Sequence, residues 1–132
     1  MTTTSVAQIR IAVVDDEKML LEVFSSLMRQ FHYQADFFSS PMTALNSILG
    51  DPNRYQLIIS DIRMPQMSGI QLAKTIRFVL PKIPIIFMTA DMTDESKERA
   101  LELGNVTFLE KPFPLESTLK EFIPKFLENR SE

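Results

Sequence analysis

The sequence contains no cysteine among its 132 residues. This absence excludes disulfide bonds, thiol catalysis and thiolate metal sites. His32 is the only histidine, so the chain offers no pair of imidazoles for a metal site either. A metal ion bound by this chain would therefore have to rely on oxygen ligands.

The chain also lacks an excess of charge of one sign. Its formal net charge is −3, and acidic and basic residues are mixed along the sequence. Nucleic-acid binding usually requires a basic patch, and membrane-surface binding a polybasic segment. No apolar run approaches the ~20 residues of a membrane helix, and residues 1–8 lack the apolar block of a secretory signal. We therefore expect a cytoplasmic protein that binds neither nucleic acid nor membranes directly.

The composition predicts one globular domain, because 45% of the residues are hydrophobic and 23% are charged. We expect this domain to span residues 9–127, between a polar N-terminal tail (1–8) and a polar C-terminal end (128–132). Short apolar runs alternate along it with segments of helical spacing. The predicted strands are Ile9–Val14, Tyr33–Phe37, Leu57–Ser60, Pro84–Met88 and Val106–Leu109. Such alternation is typical of a doubly wound α/β fold with a parallel sheet and helices on both faces.

Apolar residues spaced three and four apart predict the buried stripes of four helices. These residues are Leu20, Val23, Phe24, Leu27, Met28 and Phe31; Leu45, Ile48 and Leu49; Leu72, Ala73, Ile76, Val79 and Leu80; and Leu115, Leu119, Phe122, Ile123 and Phe126. Ser40-Pro41 is typical of a helix start, and Gly104-Asn105 of a left-handed helix end. Pro124 interrupts the last stripe and predicts a kink or a stop near Phe122.

Polar side chains follow four of the five predicted strands. Asp15 and Asp16 come directly after the first strand, Asp61 after the third, Thr89 after the fourth and Lys111 after the fifth. Ligands of open α/β sheets bind beyond the carboxyl ends of the strands, so we expect these residues at one edge. Each alone fits a structural role, such as helix capping for an aspartate. Structural roles do not require all five at the same edge.

These residue types favour phosphoryl-transfer chemistry supported by a hard cation. Clustered carboxylates repel one another and are stabilised by such a cation, and oxygen ligands favour Mg²⁺, with Mn²⁺ as the other candidate. A carboxylate can attack phosphorus and form an aspartyl phosphate. The ammonium of Lys111 and the hydroxyl of Thr89 would stabilise charge on the transferred group.

Four motifs resemble those of the CheY-like receiver domain of two-component response regulators. They are Asp15-Asp16-Glu17, the segment from Asp61 to Gly69, Met88-Thr89-Ala90 and Lys111-Pro112-Phe113. The resemblance extends from about Ile9 to Phe126. It implies a flavodoxin-like sheet of five parallel strands in the order 2-1-3-4-5, flanked by five helices, and a function in phosphorelay signal transduction.

The resemblance also implies a role for each site residue. Asp61 would be the phosphoacceptor and, with Asp16 and the backbone carbonyl of Arg63, a Mg²⁺ ligand, while Asp15 would act through a coordinated water. Lys111 would contact the phosphoryl group, and the Lys111-Pro112 peptide bond would be cis. The donor would be a sensor histidine kinase or a phosphotransfer protein. The domain would catalyse its own phosphorylation and dephosphorylation without being a turnover enzyme.

Phosphorylation would act through a switch in the implied structure. Thr89 would move towards the phosphoryl group and vacate space for Phe108, although Phe108 could also be a plain core residue. The fourth helix, fifth strand and fifth helix would then bind a downstream protein or output domain. The fourth helix, Asp94–Leu103, has only three clearly apolar residues, so we expect it to be displaced easily.

Arg63 and Asp91 lie two residues beyond the acceptor and the switch threonine. We hypothesise that they pair across the site and slow the entry of the water that hydrolyses the aspartyl phosphate. The alternative is a solvated pair that contributes less than about 1 kcal/mol.

Two other functions stay open. An Mg²⁺-dependent aspartyl-phosphate phosphatase usually carries a second aspartate two residues after its nucleophile, where this chain has Arg63. A receiver-like interaction module that no longer takes phosphate would not need the complete set of site residues. Whether the chain acts alone or belongs to a longer regulator also stays open.

Overall fold

The structure, a computed structural model, describes residues 9–129. Strands and helices alternate along the chain. They are β1 (Arg10–Val14), α1 (Lys18–Gln30), β2 (Gln34–Phe38), α2 (Pro41–Gly50), β3 (Leu57–Asp61), α3 (Gly69–Val79), β4 (Ile85–Thr89), α4 (Asp94–Leu101), β5 (Val106–Glu110) and α5 (Leu115–Asn129). The predicted tail, 1–8, and residues 130–132 of the predicted C-terminal end lie outside the described residues. Residues 128–129 form the end of α5.

The five strands form one parallel sheet in the order β2-β1-β3-β4-β5. The predicted fold class and strand order are therefore confirmed. The central strands β3 and β4 are buried throughout, whereas the edge strands β2 and β5 are mostly half-buried. Because all strands run in the same direction, their carboxyl ends lie along one edge of the sheet.

Two hydrophobic clusters cover the two faces of the sheet. One cluster lies between the sheet and helices α2, α3 and α4, and includes Val14, Ile58 and Phe87. The other lies between the sheet and helices α1 and α5, and includes Ile59 and Met88. Adjacent strand residues thus alternate between the two clusters, as the two-residue repeat of a strand requires. No helix within residues 9–129 combines the length and the apolar character needed to cross a membrane.

Three residues predicted to lie in buried helical stripes are exposed instead. Val23 is 47% exposed, Leu49 is 37% exposed and Val79 is 46% exposed. In α1 the buried positions are Leu21, Phe24, Leu27 and Met28. Val23 lies about 200° around the helix from Leu21, so it points away from the sheet. The remaining stripes pack against the core, including Leu119 and Ile123 of α5.

The helix ends largely follow the predicted signals. Ser40 caps α2, where its hydroxyl accepts a hydrogen bond from the backbone N–H of Thr43. Gly104 and Asn105 both adopt the left-handed conformation, with φ of 70° and 52°. However, α4 ends at Leu101, two residues earlier than predicted, and Ala100 is its only buried residue.

The predicted stop near Phe122 is wrong. Helix α5 continues past Pro124 to Asn129. Pro124 is exposed, while Leu119 and Ile123 are buried and Phe126 packs against the same cluster. Burial on both sides of the proline therefore outweighs the loss of one helical hydrogen bond.

Candidate functional site

Asp15, Asp61 and Lys111 each lie two residues after a core residue of a strand, and so on the same face of the sheet as that residue. Alternate residues of a strand share a face, and the rows on the α1 and α5 face end in the pairs Val13/Asp15, Ile59/Asp61 and Leu109/Lys111. In each pair an apolar core residue is followed, two positions later, by a charged one. The parallel sheet therefore brings two carboxylates and one ammonium to the same edge and the same face.

Asp15, Asp16 and Asp61 form a compact acidic cluster. One carboxylate oxygen from each residue lies within 4.8 Å of the other two. Asp15 is fully buried and Asp61 nearly so, whereas Asp16 is exposed. Three anionic oxygens without nitrogen or sulfur ligands match the preference of a hard divalent cation such as Mg²⁺. The exposure of Asp16 leaves one side of the cluster open to solvent.

Lys111 extends its ammonium group into this cluster. Its Nζ lies 3.3 Å from Oδ2 of Asp15 and 3.5 Å from Oδ2 of Asp61. The same Nζ lies 3.6 Å from Oε1 of Glu17. The Lys111 side chain is only 18% exposed, so these interactions are partly shielded from water. The peptide bond from Lys111 to Pro112 is cis.

Burial and charge repulsion shift the protonation equilibria of the cluster. Burial, with a further contribution from the negative charge of Asp15, raises the pKa of Asp61 to about 6, although Lys111 opposes the shift. Burial also raises the pKa of Asp15. Burial lowers the pKa of Lys111, but the charges of Asp15 and Asp61 outweigh it and leave the pKa raised. One ammonium therefore does not neutralise the cluster, and a divalent cation would relieve the remaining repulsion.

Thr89, Asp91 and Arg63 lie on the neighbouring strand ends. Thr89 is buried, and its hydroxyl accepts a hydrogen bond of 3.2 Å from the backbone N–H of Asp91. Nη2 of Arg63 lies 2.7 Å from Oδ2 of Asp91, and both side chains are more than half exposed. The pair thus bridges the loops that follow β3 and β4.

Phe108 lies in β5, opposite Phe87 of β4. The two rings stack with a centroid distance of 6.0 Å and an interplanar angle of 24°. Phe108 is half-buried and packs against the cluster between the sheet and helices α2, α3 and α4. The ring therefore lies on the other face of the sheet from Asp61 and Lys111.

Three residues near the site were given no role by the sequence analysis. Glu17 is the third carboxylate on Lys111. Ser60 is buried and donates a hydrogen bond to the backbone carbonyl of Asp61. A Cβ at Gly69 would overlap that same carbonyl, which explains why glycine begins α3. The pair Ser68-Gly69 could have indicated from the sequence that the start of α3 lies against the backbone of Asp61, because only glycine allows two backbone segments to come so near.

Comparisons with known proteins agree with this fold. Residues 11–123 match the response regulator receiver domain family. The response regulator protein TodT of Pseudomonas putida is 33% identical over 109 residues, which cover 83% of this chain and 47% of TodT. The transcriptional regulatory protein DltR of Streptococcus agalactiae is 33% identical over 110 residues, covering 83% of this chain and 48% of DltR. The chain thus spans about half the length of these curated relatives.

A solved structure gives the same result. The chemotaxis protein CheY4 of Vibrio cholerae aligns with a TM-score of 0.77 and 28% sequence identity, over 86% of this chain and 95% of CheY4. The fold is a doubly wound α/β domain with an acidic cluster at the carboxyl edge of its sheet. The chain belongs to the response regulator receiver domain family.

Proposed function

We propose that this receiver domain accepts a phosphoryl group on Asp61 and passes the signal to a protein partner. One observation carries the proposal: carboxylate oxygens of Asp15, Asp16 and Asp61 lie within 4.8 Å of one another, and Nζ of Lys111 contacts two of these residues. This arrangement combines a nucleophile, a cation site and a positive charge for the transferred group.

In the proposed reaction, an Oδ atom of Asp61 attacks the phosphorus of a phosphohistidine on a sensor kinase or a phosphotransfer protein. The new O–P bond forms while the P–N bond breaks, and its electron pair leaves with the imidazole nitrogen. Lys111 balances charge on the phosphoryl oxygens, and the hydroxyl of Thr89 donates a hydrogen bond to one of them. The domain itself supplies these groups, so it catalyses its own phosphorylation and, with water as the nucleophile, its own dephosphorylation.

The donor set fits Mg²⁺, and Mn²⁺ has the same ligand preference. Asp16, Asp61 and the backbone carbonyl of Arg63 would hold the ion directly, and Asp15 would hold it through a water. When bound, the ion neutralises the carboxylates and the phosphoryl oxygens as charge shifts between them.

The output would be a change in the surface formed by α4, β5 and α5. Movement of Thr89 towards the phosphoryl group breaks its contact with the N–H of Asp91, at the start of the segment that leads into α4. Phe108 then shifts from its position on Phe87 into the space that Thr89 leaves. Phenylalanine has no hydroxyl to offer to a partner, so this switch would act through packing. The partner would be a protein or an output domain in the cytoplasm.

Phosphorylation from a small donor tests this proposal. We expect incubation with Mg²⁺ and acetyl phosphate to add the mass of one phosphoryl group to the intact protein. Asp61→Asn should abolish the adduct, since an amide cannot form the acyl phosphate. Asp51→Asn is the matched control, because Asp51 is exposed and lies at the end of α2, outside the acidic cluster. It should gain the adduct like the parent.

The proposal fails if the parent gains no phosphorus in the presence of Mg²⁺, or if Asp61→Asn gains it at the parental rate. Chelation of the cation with EDTA should also prevent the adduct. Transfer from a set of phosphorylated histidine kinases would then identify the donor.

A further inference from the structure

Glu17 contacts the site in two ways. Its backbone N–H donates a hydrogen bond of 2.9 Å to Oδ1 of Asp15. Its carboxylate oxygen Oε1 lies 3.6 Å from Nζ of Lys111. Glu17 is also the N-cap residue of α1, yet its side chain makes no capping hydrogen bond. The carboxylate is therefore directed to Lys111 and not to the helix that the residue begins.

The ammonium of Lys111 is shared among three carboxylates. Its distances to Asp15, Glu17 and Asp61 are 3.3, 3.6 and 3.5 Å. All three are longer than the ~2.7–2.9 Å of a close ammonium–carboxylate hydrogen bond. Hydrogen bonds to Asp15 and Asp61 use two of the three donor protons of the ammonium, and Glu17 adds an ion pair at a longer distance. The contact to Glu17 is the longest, and the Glu17 side chain is 66% exposed, whereas those of Asp15 and Asp61 are buried.

We propose that Glu17 is a positioning residue that holds Lys111 in the resting state and releases it when Asp61 is phosphorylated. This inference rests on the proposed function. A phosphoryl group on Asp61 presents new anionic oxygens to an ammonium that three carboxylates already surround. As Lys111 moves towards them, the exposed, longest contact costs least to break because water replaces it. Glu17 thus opposes phosphorylation through the resting state and has no effect once the phosphoryl group is bound.

Two substitutions distinguish the contact between Glu17 and Lys111 from an effect of the negative charge of Glu17 alone. Glu17→Ala removes both the carboxylate and the contact. Glu17→Asp keeps the charge but shortens the side chain, and aspartate at an N-cap favours hydrogen bonding to its own helix. We expect both variants to be phosphorylated by acetyl phosphate about two- to fivefold faster than the parent, the range expected for a partly exposed ion pair. The lifetime of the phosphorylated form should stay unchanged in both.

Glu110→Ala is the control, because Glu110 is an exposed glutamate next to Lys111 in the sequence and its loss changes the net charge equally. It should leave the rate at the parental value. If Glu17→Ala is faster but Glu17→Asp is not, the effect is one of charge alone, and the positioning role is wrong. Equal rates in the parent and both Glu17 variants would also overturn it.

A spectroscopic measurement tests the resting contact between Glu17 and Lys111 without depending on phosphorylation. The side-chain ammonium and ε-methylene signals of Lys111 can be assigned in isotopically labelled protein by their loss in Lys111→Arg. These signals should shift in the resting Glu17 variants relative to the parent and stay in place in Glu110→Ala. In the phosphorylated proteins the difference between the parent and the Glu17 variants should vanish. Unshifted resting signals would refute the contact, whereas failure of the parent to take up phosphorus would refute the proposed function instead.

Discussion

Arg63 and Asp91 place opposite charges across the loops that follow β3 and β4. Their 2.7 Å contact directly joins the residue two positions after the acceptor to the residue two positions after Thr89. The sequence positions of both residues predicted this pair, and its effect on water entry stays a prediction. Arg63 also occupies the position at which an aspartyl-phosphate phosphatase usually carries a second aspartate, which argues against that function.

We expect Arg63→Ala and Asp91→Ala to shorten the lifetime of phosphorylated Asp61 by up to about fivefold, because an exposed pair contributes less than about 1 kcal/mol. Loss of the adduct with time, followed by intact mass, measures this lifetime. Arg99→Ala is the matched control, since Arg99 forms an equally short and equally exposed ion pair with Glu95 within α4. Lifetimes equal to the parent in both loop variants would end the hypothesis.

Asp36 is the centre of a hydrogen-bond network that the sequence patterns did not predict. Its carboxylate accepts hydrogen bonds from Arg10, Arg54 and Tyr55, and the Tyr55 hydroxyl also contacts Ser47. These residues come from β1, β2, α2 and the loop before β3. Since the network joins residues far apart in the chain, no local spacing could have predicted it. It ties the half-buried edge strand β2 to its neighbours.

At the scale of elements, the C-terminal end of α4 has more contacts with the rest of the domain than its N-terminal end. Ala100 is its only buried residue. The guanidinium of Arg77, in α3, donates hydrogen bonds to the carbonyl oxygens of Leu80, Leu103 and Gly104. These bonds connect the end of α3 with the turn that follows α4. Within residues 9–129, the first turns of α4 make no comparable side-chain hydrogen bonds to the core, and the easy displacement expected of this helix stays a prediction.

Helix α5 provides a prediction about stability. Pro124→Ala restores a backbone N–H in the interior of a continuous helix and removes the steric conflict with the preceding turn. We expect the free energy of unfolding to rise by about 1–2 kcal/mol, less than the full ~3 kcal/mol cost of a helical proline, because alanine also makes the unfolded chain more flexible. Urea denaturation followed by circular dichroism measures the change.

Phosphorylation of Asp61 should be unaffected by Pro124→Ala, since the residue lies outside the site. A decrease in the free energy of unfolding would show that Pro124 contributes packing that alanine cannot replace.

At the scale of the whole molecule, the acidic cluster couples global stability to pH. The folded-state pKa of Asp61, about 6, exceeds its ordinary value of 3.8. A group with a raised pKa stabilises the fold most below its unfolded pKa, and this contribution is lost as the pH rises through the folded pKa. In metal-free buffer, the contribution of Asp61 to the free energy of unfolding should therefore fall between about pH 4 and pH 6.

Asp61→Asn removes this titration with little change in side-chain size. At pH 7 in EDTA, we expect the variant to be more stable than the parent by about 1–3 kcal/mol, and the difference to shrink towards pH 4. Thermal or urea unfolding across this pH range measures it, with Asp51→Asn as the control. Added Mg²⁺ should stabilise the parent more than the variant. A less stable Asp61→Asn at pH 7 would show that Lys111 already compensates the cluster.

The sequence alone determined the alternation of strands and helices, the parallel sheet and the group of residues at its carboxyl edge. These features follow from local signals: apolar runs, helical spacing and polar residues directly after strands. The predicted edges of the helical stripes and the predicted end of α5 were less accurate. Val23 is exposed and α5 continues through Pro124, because both outcomes depend on how each helix packs against the sheet.

Only the tertiary structure decided how the site residues meet. The 4.8 Å acidic cluster, the sharing of Lys111 among three carboxylates and the pair of Arg63 with Asp91 all join residues that are distant in sequence. Such contacts depend on strand register, on loop geometry and on which face of a strand each side chain occupies. Local patterns fix the types of residue at a sheet edge, but distances between side chains arise only when separate elements pack together.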